Sequence, residues 1–322
     1  SARREEGAWT VRLRDERTGN VRTVRARAIV NAAGPWVNDI VGRVAGSNSR
    51  RNVRLVKGSH IIVPKFWEGR QAYLVQNHDK RVIFINPYEG DLALIGTTDI
   101  AYEGRPEDVA ADEAEIDYLL KAVNRYFKEK LRRSDVIETF SGVRPLFDDG
   151  QGNPSAVTRD YVFDLDETGG APLLNVFGGK ITTFRHLSEE AMDKLGRLVG
   201  GGKSWTAGAT LPGGDFPITG FDALVGELAQ SPAIDRTTAR RLARSYGTKA
   251  RLVLAGAKAP SDLGIAFGGG LTEREVRYLI EHEWARTADD ILWRRSKLGL
   301  RLSKTEAAAL ADWLARNAQN VA

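Results

Sequence analysis

Apolar and polar residues alternate along much of the first two hundred positions, and this alternation predicts strands. Val11 and Leu13, a turn at Thr18-Gly19-Asn20, then Val21 and Val24 read as a hairpin running on into Ala28-Ile29-Val30. That run ends in Asn31-Ala32-Ala33-Gly34-Pro35-Trp36, where Pro35 suits the first turn of a helix expected to reach about Ala45. Further strands are expected over 53–63, 71–77, 81–87 and 90–98, with Glu89-Gly90-Asp91 as a hairpin turn. From Asp112 the period changes. Ile116, Leu119, Leu120, Val123 and Phe127 fall on one helical face, and Asp112 with Glu115 has the spacing of a capping box. Strands resume over 135–146, 156–163 and 172–178. A helix then starts near Thr182, with Phe184, Leu187, Ala191, Leu195 and Leu198 as its expected buried stripe.

The segment from Gly200 to Pro217 is rich in Gly and Pro and has no period, so it reads as a linker. Beyond it the pattern is wholly helical. Thr272 with Glu275 and Thr287 with Asp290 have capping-box spacing, and a final helix carries Ala307, Leu310, Trp313 and Leu314. The expected fold class is α+β: a mixed or antiparallel sheet domain over 1–203, a linker over 204–217 and an all-α domain over 218–322.

Composition narrows the chemistry. The 322 residues include 47 Lys+Arg against 42 Asp+Glu, a net charge of +5, and 42% are hydrophobic, enough for two cores. Cysteine is absent, which excludes disulfides, thiolate metal sites, iron–sulfur clusters and a cysteine nucleophile. No apolar run approaches the ~20 residues of a membrane-spanning helix. The only methionine is Met192, and the chain opens Ser1-Ala-Arg-Arg almost directly into a strand, so it is expected to be the C-terminal part of a longer protein. Arg12, Arg14, Arg22, Arg25, Arg27, Arg50, Arg51 and Arg54 crowd the first sixty residues. They read either as solvated strand faces or as a basic surface for nucleic acid or anionic lipid.

Several motifs fail on inspection. Gly202-Lys203-Ser204 resembles the end of a phosphate-binding loop, but the required first glycine falls on Arg197. His60, His78, His186 and His282 are scattered, so no metal site is expected. There is no Gly-x-Ser-x-Gly elbow.

Three segments carry more. In Val176-Phe177-Gly178-Gly179-Lys180-Ile181-Thr182-Thr183, a strand ends in two glycines and a helix begins. Its N-terminus offers unpaired N–H groups and partial positive charge, to which Lys180 adds a full one; an ordinary glycine turn with a Thr cap is the plainer reading. Arg144 lies in the apolar strand Ser141-Gly142-Val143-Arg144-Pro145-Leu146, where a charge needs a partner. Arg159 follows in Thr158-Arg159-Asp160-Tyr161, with a local pair to Asp160 as the alternative. Three cations at three strand ends, Arg144, Arg159 and Lys180, suggest a pocket for a small doubly charged anion.

Assembled, these segments resemble the FAD-dependent, aerobic, quinone-linked glycerol-3-phosphate dehydrogenases. The matching stretches are IVNAAGPWVNDI at 29–40, LVKGSHIIVP at 55–64, LIGTTDI at 94–100, FSGVRPLFDD at 140–149, TRDYVFD at 158–164, PLLNVFGGKITTFRHLSEEAMDKL at 172–195 and RRSKLGLRLS at 294–303. The resemblance implies oxidation of sn-glycerol 3-phosphate to dihydroxyacetone phosphate, with hydride passing from C2 to flavin N5 and the electrons going on to a membrane quinone. It implies that Arg144 lies beside the flavin and the reacting carbinol, and that Arg159 and Lys180 hold substrate oxygens. Ala33, Gly34, Pro35 and Trp36 would pass the cofactor, and Gly178, Gly179, Lys180, Ile181, Thr182 and Thr183 would meet the flavin's pyrimidine edge. His60 is the candidate general base, its alternative being an ordinary strand residue. The resemblance further implies a cytoplasmic protein, peripheral on the inner face of the cell membrane, with no nucleic-acid partner, and admits a homodimer.

The family opens with a strand and a Gly-x-Gly-x-x-Gly turn that cradles the FAD pyrophosphate. This chain contains no such motif. It therefore reads as the part after that segment, with a remnant of the Rossmann-like domain, and is expected to be inactive alone. Alternatives are an oxygen-using glycerol-3-phosphate oxidase or related FAD amine or hydroxy-acid oxidoreductase, a basic binding module, and a helical domain serving oligomer or membrane-surface contacts.

Overall fold

The structure is a computed structural model, and it describes residues 1–47, 49, 51–148 and 159–317. It divides into two units, Ser1–Ala207 and Gly208–Ala322.

The first unit opens with strands β1 (Ala2–Glu5), β2 (Ala8–Arg14) and β3 (Val21–Ala26) in one antiparallel sheet. The short, charged β1 has no visible alternation and was not expected. Strand β4 (Ile29–Asn31) leads into a 3₁₀ turn over Gly34–Trp36, the short helix α1 (Val37–Asp39) and a wider turn over Ile40–Val44. Pro35 thus opens the helical stretch as expected.

A larger sheet follows: β5 (Val53–Pro64), β6 (Tyr73–Gln76), β7 (Val82–Tyr88), β8 (Leu92–Gly96), β9 (Ile100–Ala101) and β10 (Glu138–Phe147). Its order is β10-β5-β8-β7-β6, with β9 also on β5, and every pair is antiparallel. Helix α2 (Glu113–Tyr126) starts at the expected Asp112–Glu115 capping box. It covers one sheet face, where Ile61, Val63, Ile83, Ile85 and Ile95 meet Ile116, Leu119 and Val123. Because side chains alternate along a strand, the even-numbered positions His60 and Gly58 face the other way.

Strand β11 (Tyr161–Asp166) begins later than expected; positions 156–158 of the expected strand lie outside the described residues. It pairs antiparallel with β12 (Leu173–Gly178), which pairs in parallel with β4 through Leu173 and Ile29. A parallel pair buried by a helix is the signature of a Rossmann-like layer. Helix α3 (Phe184–Val199) follows a turn over Ile181–Thr183. Its buried stripe is shorter than expected: Ala191 and Leu195 are buried against Leu174, whereas Phe184 and Leu198 are exposed. The helix packs on β12 through Ala191 and Leu195, with Val199 of its last turn half-buried against the same cluster.

The second unit contains α4 (Phe221–Leu228), α5 (Arg236–Tyr246), α6 (Ala250–Leu254), α7 (Glu273–Glu283) and α8 (Lys304–Asn317) around one core. It is not wholly helical. Strands β13 (Ala266–Gly268) and β14 (Leu271–Thr272) form a small hairpin through Gly268-Gly269-Gly270, all at positive φ. The expected Thr272–Glu275 capping box does not form. The Thr272 side chain caps nothing, and Glu275 instead accepts both Arg241 Nη groups at 2.6 and 2.7 Å and the Tyr246 hydroxyl at 2.7 Å. The Thr287–Asp290 pair does form, with Asp290 N donating to Thr287 Oγ1 and Thr287 N to Asp290 Oδ2.

Candidate active site

The uncovered face of the large sheet carries the chemistry. In register, Phe140 of β10 lies opposite His60 of β5, which lies opposite Gly96 of β8. The His60 and Phe140 rings stack, with centroids 4.7 Å apart and planes 4° from parallel. Gly96 makes room for the imidazole, since a Cβ there would sit 2.2 Å from His60 Cδ2. Burial, and then the charge of Arg144, push the His60 pKa down to about 4, so the ring is neutral near pH 7. Its Nδ1 is buried and has no hydrogen-bond partner among the described residues. A buried polar atom left unpaired inside a polar site points to a ligand or water that completes it.

Arg144 stands on the same face of β10 as Phe140, two strand repeats along. Its Nη1 donates to Asp99 Oδ1 at 2.8 Å and its Nη2 to Thr97 Oγ1 at 3.0 Å. Gly58, on the neighbouring strand, leaves the space: a Cβ would lie 2.5 Å from Arg144 Nη2. Burial lowers the Arg144 pKa, Asp99 opposes this and Arg159 adds to it, yet a guanidinium remains charged throughout. Arg159 also turns to Asp99, with Nη2 3.8 Å from Oδ2. Two of the three expected cations therefore meet at one carboxylate.

Lys180 is exposed at the end of β12 and forms no ion pair among the described residues. Tyr161 pairs with Gly178, so Arg159 and Lys180 each lie two residues beyond that pair, at the same end of the β11–β12 ribbon. The two glycines serve packing as well as access. A Cβ on Gly178 would lie 2.8 Å from the Asp160 carbonyl and 3.0 Å from the Phe147 amide, so this turn presses β11 and β12 against the end of β10. The amides of Ile181 and Thr182 open the following turn and, as at any helix start, have no partner within it. Ile181 is 85% exposed beside exposed Phe184.

The Ala33–Trp36 turn is held by Asn31. This buried side chain donates to the Val37 carbonyl at 2.9 Å and to Asn175 Oδ1 at 2.8 Å. Gly34 comes within 3.8 Å, by its virtual Cβ, of Pro145, the residue after Arg144. The expected cofactor-facing turn thus adjoins the expected catalytic strand. Asp99, Thr97 and Asn31 were not singled out in the sequence. The GTTD run at 96–99 was quoted only as part of a match, and a single Asp in a loop carries no signal until its partners are known.

The residues present suit the flavin end of FAD: an orphaned imidazole nitrogen, an open helix start and exposed apolar side chains. They do not include the glycine motif for its pyrophosphate. The basic stretch near the start is paired in part, with Arg14 on Glu16, Arg25 on Glu6, Arg51 3.9 Å from Asp164 and Arg54 on Asp148; Arg50 lies outside the described residues. Among the described residues no helix is long and apolar enough to cross a membrane.

The model of the FAD dependent oxidoreductases matches residues 1–185, more than half of the chain. The chain belongs to that family. Residues 204–319 match the C-terminal domain of alpha-glycerophosphate oxidase. Among relatives, D-erythritol 1-phosphate dehydrogenase of Brucella abortus is 64% identical over 97% of this chain and 63% of its own. Glycerol-3-phosphate dehydrogenase of Pseudomonas aeruginosa is 48% identical, over 98% of this chain and 62% of its own. The aerobic enzyme of Escherichia coli is 44% identical, over 99% of this chain and 64% of its own. The solved glycerol-3-phosphate dehydrogenase of Bacillus halodurans, complexed with FAD, superposes with a TM-score of 0.78 at 26% identity, over 97% of this chain and 62% of that one. The chain therefore spans somewhat less than two-thirds of the length of these relatives. Family and fold, a FAD-binding sheet unit followed by a helical C-terminal domain, agree with the sequence reading.

Proposed function

We propose that this chain supplies the substrate site of a flavin-dependent dehydrogenase that oxidises a phosphorylated polyol at a secondary carbinol, sn-glycerol 3-phosphate to dihydroxyacetone phosphate. The observation that carries this reading is the meeting of Arg144 and Arg159 at Asp99 beside a buried, neutral histidine, in a chain of FAD-dependent family. FAD, when bound, supplies the two-electron acceptor.

In this reading each side chain has one task. Arg159 and Lys180 hold the phosphate. The second donates from a flexible stem and the first from a planar fork, which together suit a dianion. Anchoring the phosphate fixes the carbinol. Arg144 donates to the carbinol oxygen and stabilises negative charge there as the hydroxyl proton leaves. His60 accepts that proton. Ala33, Gly34, Pro35 and Trp36, with Gly178 to Thr183, line the flavin. Beyond the site, the electrons pass to a membrane quinone from a cytoplasmic protein that is peripheral on the inner membrane face, and the protein admits a homodimer. The relatives' names support the substrate part of this reading.

One observation favours a second reading of the substrate. The 64% relative is named for D-erythritol 1-phosphate, and its identity stands well above the 48% and 44% of the glycerol-3-phosphate enzymes. Both substrates carry the same phosphate and secondary alcohol and differ by one hydroxymethylene.

The test joins this chain to the N-terminal segment of the Brucella relative, loads it with flavin and follows dye reduction. Both phosphorylated polyols should be oxidised, with kcat/KM at least about 100-fold above glycerol and erythritol, because several charge-assisted bonds to phosphate are lost without it. Equal rates with and without phosphate would refute the assignment. The ratio of the two phosphorylated substrates decides between the readings. The 322-residue chain alone should lose flavin on dialysis and reduce no dye.

A further inference from the structure

The turn carrying Thr97, Thr98 and Asp99 is held from both sides of the large sheet. On the side covered by α2, Lys57 is buried and bonds Glu115 at 2.7 Å and Asp112 at 3.1 Å. The other Glu115 oxygen accepts the Thr98 hydroxyl at 2.7 Å, and Thr98 Oγ1 in turn accepts the Ser59 amide at 2.9 Å. On the open side, the residues flanking Thr98 take the Arg144 guanidinium: Thr97 through its hydroxyl and Asp99 through its carboxylate. Asp99 is also the point to which Arg159 turns. A buried charged pair is a costly way to stabilise a fold, and one use of such a pair is to fix a single arrangement of what it touches.

We propose that Asp99 is a positioning residue for the reaction: with Thr97, and anchored through Thr98 to the buried Lys57–Glu115 pair, it fixes the plane of the Arg144 guanidinium over the reacting carbinol and tethers Arg159 beside it. The inference rests on the functional reading above for the identity of the reaction, though not for the geometry. The Asp99 carboxylate, which accepts from Arg144, has no donor to offer the substrate, and its effect reaches the carbinol through Arg144. Its negative charge also separates two guanidinium groups that would otherwise repel each other across the phosphate site. A free Arg144 would adopt other rotamers, and a misplacement of about 1 Å at a reacting group lowers rate by as much as 100-fold.

The experiment has two readouts. In the flavin-loaded, joined protein, Asp99→Ala should lower kcat by about 10-fold to 100-fold while KM for glycerol 3-phosphate changes less than about threefold, the pattern of an interaction lost mainly in the transition state. Asp99→Asn keeps an acceptor for Arg144 and should fall between Asp99→Ala and the unaltered protein. Thr97→Ser should keep the rate that Thr97→Val loses. In the 322-residue chain labelled with ¹⁵N, the Arg144 guanidinium N–H signals should be resolved and slowly exchanging, and should broaden in Asp99→Ala. Unchanged kcat in Asp99→Ala, or Arg144 signals that are the same with and without Asp99, overturns the proposal. An unaltered enzyme that oxidises no phosphorylated polyol overturns the functional reading instead, and the Arg144 signals then still decide the positioning.

Discussion

His60 concentrates the electrostatics of the site in one side chain. Its proton affinity is low because it is packed on Phe140 and faces a guanidinium, so the unfolded chain binds that proton more readily than the folded one. Between the ordinary histidine pKa of about 6.5 and the folded value of about 4, stability should therefore fall as pH falls. Asp166 acts in a lower window. Against burial, which alone would raise its pKa, bonds from Thr168, Ser47 and Arg4 hold it well below the usual carboxylate range. Its contribution is present above the ordinary Asp pKa and is lost only as pH drops through the folded value. Urea midpoints of His60→Gln against the unaltered chain between pH 4 and 7 check this. The substitution should flatten the dependence above pH 4.5, and parallel curves would show that His60 is not buried neutral. The histidine was legible in the sequence as a residue type in a strand. Its stacking and its orphaned Nδ1 were not, because they come from the strand pairings to β10 and β8.

Between α2 and β5, a local signal and a long-range bond share one glutamate. The Asp112–Glu115 box was readable because its partners lie three residues apart. Glu115 also takes Lys57 and Thr98, which join it only when the helix lies across the sheet. Identical spacing misled at Thr272 and Glu275, where Arg241 and Tyr246 capture the carboxylate. Glu115 bonds Lys57 and still accepts the Asp112 amide, so its box survives, whereas both Glu275 oxygens are turned to Arg241 and Tyr246 on another helix. Removing Glu115 leaves the buried Lys57 with only the more exposed Asp112 and takes the acceptor from the Thr98 hydroxyl, so Glu115→Ala should cost about 3–5 kcal/mol, while Lys57→Met with Glu115→Met should recover much of it. Chemical denaturation of the two variants checks this, and a cost below about 1 kcal/mol for the single change would contradict the burial. Neither the β13–β14 hairpin nor β1 was legible, since each is too short for a period to show.

At the scale of the molecule, the strand order brings together segments distant in sequence. Residues 31–36, 58–60, 97–99, 144 and 159 come from different strands and turns of the first unit and converge where β4, β5, β8 and β10 end or pair. The motif types, an arginine in an apolar strand and a glycine pair before a helix, were visible one at a time. Their convergence was inferred from a family likeness, and the structure supports it directly for Arg144 and Arg159 through Asp99. Lys180 joins them by its place at the same ribbon end.

The central claim is that this cluster reads a phosphate. The most direct measurement is the ratio of kcat/KM for glycerol 3-phosphate over glycerol in the flavin-loaded, joined protein and in its Arg159→Ala and Lys180→Ala variants. Each substitution should lower that ratio by about 10-fold or more, as expected for loss of a charge-assisted bond to phosphate, while leaving the rate with glycerol nearly unchanged. A ratio that stays the same in both variants would contradict the account.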